Sequence, residues 1–154
     1  MKFARPAPSN RLPLALGVLA LAVASAGAVQ AHPAIQTTSC PARDFAGFFK
    51  AFSDSRDVQR AFTEASVDFT EIDANAQPEP REVTVNRPLA AIQFPVIPTT
   101  SEQRRNGLEM TTSRTEDGMM RVRLEKPDTD YQLVYIFKTH ADCWTLYAKA
   151  DNSL

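Results

Sequence analysis

The hydrophobic pattern is clearest near the end of the chain. From Tyr131 to Phe137, Tyr131, Leu133, Tyr135 and Phe137 alternate with Val134 and Ile136. After a polar break at Ala141 and Asp142 the run CWTLYAKA follows. Alternation in a β-branched and aromatic stretch predicts a hairpin, and apolar residues on both of its faces predict a central strand. Upstream the period changes. Phe45, Phe48, Phe49 and Phe52 stand at i, i+3, i+4 and i+7, which predicts a helix with one apolar stripe. Ser39 or Cys40 is read as its cap, with Pro41 in its first turn and Asp44 near the positive end of its dipole. Ser53, Asp54 and Ser55 break this helix and introduce a second, in which Val58, Ala61, Phe62 and Ala65 form the apolar face.

Between these ends the pattern is that of strands. Val67 and Phe69 alternate with Asp68 and Thr70; a proline-bearing loop spans Asn75 to Pro80; Val83 to Val85 begins an edge strand. Ala90, Ile92, Phe94 and Val96 also alternate, with Pro95 and Pro98 placing that strand at an edge. The run EQRRN is a short helix stopped by Gly107. Leu108, Met110 and Thr112 share one strand face. Met120, Val122 and Leu124 alternate with Arg121, Arg123 and Glu125 on a strand wet on one side, and Asp117–Gly118 and Pro127–Asp128 supply turns. The expectation is an α+β domain: two N-terminal helices on a curved antiparallel sheet of five or six strands.

The first residues read as an address. Lys2, Arg5 and Arg11 precede an apolar core from Leu14 to Val23, and Val29, Gln30 and Ala31 form a small-residue cleavage site before His32. We read residues 1–31 as a secretory signal peptide, 32–38 as a flexible lead and 39–154 as one domain. A membrane anchor would need about twenty apolar residues, and Ser25, Gly27 and Gln30 interrupt this run. The expected location is periplasmic or secreted, with no membrane span after cleavage.

Composition then removes function classes. The 154 residues are 44% hydrophobic and 23% charged, ordinary globular material for one domain. Of five glycines only Gly47, Gly107 and Gly118 lie beyond the leader, too few and too scattered for a phosphate-cradling loop. Without residues 1–31 the chain keeps 14 Lys plus Arg against 18 Asp plus Glu, a net charge of −4 that excludes a nucleic-acid partner. The doublet Arg104–Arg105 is read as a solvated helix face.

In an oxidising compartment the two cysteines, Cys40 and Cys143, most simply pair as one disulfide. The competing readings are a buried free thiol and a catalytic thiolate.

The Phe45-x-x-Phe48-Phe49-x-x-Phe52 stripe, the following Asp57-Val58-Gln59-Arg60, and the ending Cys143-Trp144-x-Leu146 with Asp151-Asn152-Ser153 resemble exported bacterial proteins of the NTF2-like superfamily, in particular an uncharacterised branch. The resemblance implies a cone in which a curved sheet wraps around helices and encloses a pocket. In a superfamily of isomerases, dehydratases and members that only bind, it also implies an acid or base beside a Tyr or second acid wherever catalysis occurs.

No residue is assigned a catalytic role; the weak candidates are His140, which the turn position explains better as an exposed residue, and Asp151, better explained as a strand-end residue bonding local backbone. His32, as a new N-terminus, and His140 are candidate copper ligands. Phe45, Phe48, Phe49, Phe52, Phe62, Tyr135 and Trp144 are pocket or core residues. We expect a non-catalytic binding or protein-interaction module without a cofactor, taking a small hydrophobic ligand or a protein partner. The alternatives are a pocket enzyme of isomerase or dehydratase type and a periplasmic toxin-neutralising protein. A homodimer formed over Val134 and Ile136 would cover the sheet face that the helices leave open.

Overall fold

The computed structural model describes residues 38–153. Residues 1–31, read above as a signal peptide, and most of the lead with His32 lie outside the described residues. Two helices, α1 (Phe45–Asp54) and α2 (Arg56–Ala61), precede the strands β1 (Thr63–Asp73) and β2 (Arg81–Pro88). A 3-10 turn at Leu89–Ala91 and α3 (Thr100–Arg105) lead to β3 (Glu109–Arg114), β4 (Met120–Glu125), β5 (Gln132–His140) and β6 (Cys143–Asp151). The strands form one curved six-stranded sheet in the order β2-β1-β6-β5-β4-β3.

The sheet is mixed, which corrects the antiparallel expectation: β1 and β6 pair in parallel, and the other four pairs are antiparallel. The cause is the connection from β2 to β3. It carries the chain from one sheet edge to the other through α3, so β3 sets off in the same sense as β2. β2 and β3 thus run in the same sense at opposite edges, and the meander β3-β4-β5-β6 brings β6 back beside β1 in the parallel orientation.

Local chemistry explains where the helices start and stop. Asp44, and not Ser39 or Cys40, caps α1: its Oδ1 accepts the Gly47 N–H at 2.8 Å. Pro41 lies outside the helix. Ser55 caps α2 by accepting the Val58 N–H. This helix ends at Ala61, so Phe62 and Ala65 do not belong to its face; β1 begins at Thr63, whose hydroxyl donates to the Gln59 carbonyl at 2.6 Å. Thr99 and Glu102 form a reciprocal capping box on α3, and Gly107 follows it at φ 66°, a left-handed conformation that glycine adopts without strain.

The alternating segment Ala90 to Val96 is not a strand. Pro95 and Pro98 have no N–H for a ladder, and buried side chains from elsewhere bond the backbone instead. The Tyr135 hydroxyl donates to the Val96 carbonyl at 3.2 Å, Gln59 Oε1 accepts the Val96 N–H at 2.8 Å, and Gln103 Nε2 donates to the Pro98 carbonyl at 2.7 Å. Ile92, Val96 and Ile97 are thereby buried without sheet pairing. Replacing Gln59 by Leu would orphan the buried Val96 N–H, so we expect a loss of about 1–3 kcal/mol, measured by urea unfolding. A change under about 0.5 kcal/mol, usual for surface positions, would show that water replaces the side chain.

Asp54 joins α1 to α3. Its carboxylate accepts from Lys50 Nζ at 2.9 Å and from the Thr100 N–H and hydroxyl at 2.8 and 2.7 Å. The Lys50 hydrogen bond first, then those from Thr100, hold its pKa at about 2 against burial, below the ordinary 3.8. A depressed carboxylate pKa stabilises the fold fully above the unfolded value, and that stabilisation disappears as pH falls from about 4 towards 2. With the side chain 32% exposed, solvent screening reduces the contribution to about 1 kcal/mol or less. Asp54→Asn should remove this part of the acid dependence while leaving the slope above pH 5 unchanged, as read from thermal midpoints between pH 2 and 7.

Candidate binding groove

The helix-covered face of the sheet is filled with aromatic side chains. Phe48 and Phe52 have no exposed surface and Phe49 is 3% exposed. Their rings meet Phe137 of β5 with centroids 5.9, 5.1 and 5.9 Å apart. Phe45 and Phe48 both pack on Trp144 at 5.4 Å, and Phe62 lies edge-on to Phe48. Leu133, Tyr135, Val122, Leu124, Val67 and Leu146 complete this core. Burial pushes the Tyr135 phenol well above the ordinary tyrosine range; with its proton donated to Val96, the group acts as a structural donor.

The disulfide is formed. Cys40 and Cys143 are bonded with Cα atoms 5.5 Å apart, tying the segment before α1 to the start of β6.

The opposite face of the sheet carries a groove of about 700 Å³. Two cross-strand rows build it. One runs from Ser113 on β3 through Arg121 and Ile136 to Ala148. The other runs from Thr111 through Arg123, Val134 and Ala150 to Thr70 on β1 and Thr84 on β2. Because side chains alternate along a strand, the residues that send Leu133, Tyr135 and Phe137 into the core send Val134 and Ile136 here. The floor is a half-buried strip, not a broad apolar patch: arginines and hydroxyls flank it on the β4 and β3 side, and Thr70 and Lys149 on the other. Glu82 on β2 lines the far wall, four strands along the sheet from β4. One end is locked by Asn152, whose side chain donates to Gln132 Oε1 at 3.2 Å, and by the Gln132 N–H donating to Ser153 Oγ at 3.1 Å.

Neither His140 nor Asp151 lines this groove. His140 is exposed at the tip of the β5–β6 hairpin, paired with Cys143 beside the turn at Ala141. Asp151 pairs with Leu133 at the other end and accepts the Ser153 N–H. Seven residues of strand separate these ends, about 23 Å, so the two candidates cannot share one reacting atom. Among the described residues no cluster of three His, Cys, Asp or Glu is placed to hold a metal ion.

No protein-family model matches the chain, and no curated protein matches its sequence. Among solved structures, an NTF2-like protein from Bacteroides fragilis NCTC 9343 is similar, with a TM-score of 0.49 and 18% identity. The match covers 72% of this chain and 47% of that protein, about half of its length.

The sequence pattern marks Arg121 and Arg123 only as the wet side of β4. The signal for a groove is the pair Ala148 and Ala150: small side chains in a strand interior, opposite Ile136 and Val134, leave a depression that larger residues would fill. The structural roles of Gln59 and Asp54 carry no pattern signal, since each depends on a partner 37 or 46 residues away.

Proposed function

We propose that the protein is an exported binding module, periplasmic or secreted, with a single NTF2-like domain over residues 39–154 that binds its ligand or partner without transforming it. The observation that carries this reading is the groove: six strands converge on one open face with an apolar floor, and the helix-covered face is given over to packed core. The Cys40–Cys143 bond favours an oxidising compartment, in keeping with the basic, apolar and small-residue order of residues 1–31. No helix among the described residues is long and apolar enough to cross a membrane.

Catalysis of the isomerase or dehydratase kind needs a base and an acid within hydrogen-bond reach of one substrate. The carboxylate lining the groove, Glu82, sits on β2, four strands along the sheet from the strand that carries the arginines.

The test is mass spectrometry of protein isolated from the periplasm, with the bound fraction released by denaturation. Recovery of a retained compound, returned unchanged after prolonged incubation with the protein, is the expected outcome. Its conversion would establish the enzyme reading. N-terminal sequencing of the same material should begin at His32; an intact leader would remove the export assignment.

A further inference from the structure

Resting on that reading, we infer that the groove on the open sheet face takes an apolar carboxylate, its hydrocarbon body over Val134, Ile136, Ala148 and Ala150 and its head on Arg121 and Arg123. The two guanidinium side chains leave the same face of β4 two residues apart, and Ser113 and Thr111 stand directly across from them on β3. Among the described residues Arg121 has no ion-pair partner, whereas Arg123 is 3.3 Å from Glu125. A guanidinium fork matches a carboxylate in two parallel hydrogen bonds, and neighbouring hydroxyls can add further donors. The net negative charge of the chain does not oppose this, because exposed charges beyond about 8 Å are largely screened at physiological salt.

The floor decides between classes of anion. A small inorganic anion would use the arginines and leave the aliphatic strip wet, while an apolar tail covers it. A volume of about 700 Å³ lies within the roughly 300–1,000 Å³ of small-molecule sites. A second copy of the chain is the competing occupant of this face, and the titration below tells the two apart.

The experiment is an NMR titration of the purified protein with decanoate, kept below micelle formation, with 1-decanol and acetate as comparisons. Backbone amide shifts should concentrate at residues 121–123, 134–136 and 148–150. Arg121→Gln and Arg123→Gln should each weaken binding about tenfold, as loss of a charge-assisted hydrogen bond does. 1-Decanol should bind at least about tenfold more weakly for the same reason, and acetate should leave the spectrum unchanged. Unchanged amide dispersion in the variants shows that they remain folded.

Equal binding of 1-decanol and decanoate, undiminished binding by the doubly substituted protein, or shifts confined to another face would overturn the assignment. So would a dimer that protects these same amides and resists decanoate. If decanoate fails while the compound recovered from the periplasm shifts these amides, the carboxylate assignment falls and the binding-module reading stands. If neither shifts them, both fall.

Discussion

Reducing the Cys40–Cys143 bond should lower the thermal midpoint by on the order of 15 °C. The two residues are separated by 103 positions, so the bond removes the freedom of nearly the whole domain in the unfolded chain. A closed loop of that length corresponds to about 4–5 kcal/mol in the chain-entropy model. For a domain of this size each kcal/mol moves the midpoint by a few degrees. The native side of the balance should change little. Cys40 lies just before the cap of α1, and Phe45 holds α1 against Trp144 whether or not the sulfurs are joined. The double variant Cys40→Ser/Cys143→Ser, followed by circular dichroism, should therefore fold to the same spectrum with the lower midpoint. Equal midpoints with and without reductant would mean that residues 40–143 are already closed in the unfolded ensemble. Two free thiols in non-reducing mass analysis of protein purified without reductant would contradict the bond itself.

What could be read from the sequence divides along the range of the interactions. The α1 stripe and the alternation in β4 and β5 are periodic over consecutive residues, so the pattern reports the buried face directly. Phe48, Phe49 and Phe52 lie inside as their spacing predicts, and so do Leu133, Tyr135 and Phe137. The segment from Ala90 to Val96 defeats the same logic. Its apolar residues alternate and are in part buried, but its backbone at Val96 is bonded by Gln59 and Tyr135, 37 and 39 positions away, and the chain just beyond it, at Pro98, by Gln103. Periodicity records which side chains avoid water and is silent on what the backbone bonds to. The parallel pairing of β1 with β6 is hidden for a related reason. Each strand looks alike in either orientation, and the direction is set by how residues 89–108 cross the sheet. The groove is further still from pattern: Arg121, Ile136 and Ala148 become one row only after β4, β5 and β6 have found their register.

Phe48→Ala should be the most damaging single substitution in α1, costing about 3–5 kcal/mol. Phe48 has no exposed surface, and its ring contacts Phe45, Phe52, Phe62, Phe137 and Trp144 with centroids between 5.4 and 6.2 Å. It thereby links α1 to the α2–β1 junction, to β5 and to β6. Truncation loses the transfer free energy of the ring and leaves a cavity walled by five other aromatic rings. Such a wall relaxes poorly, and incomplete relaxation places a large-to-small change at the upper end of its range. Phe45→Ala is the internal comparison. Phe45 touches several of the same rings but is only partly buried, so its loss should cost less than half as much. Urea unfolding of both variants checks the ordering. Equal costs would mean that α1 moves towards the sheet to close the space at position 48. A Phe48→Ala cost under about 1 kcal/mol, the scale of an exposed substitution, would contradict the packing of the aromatic face.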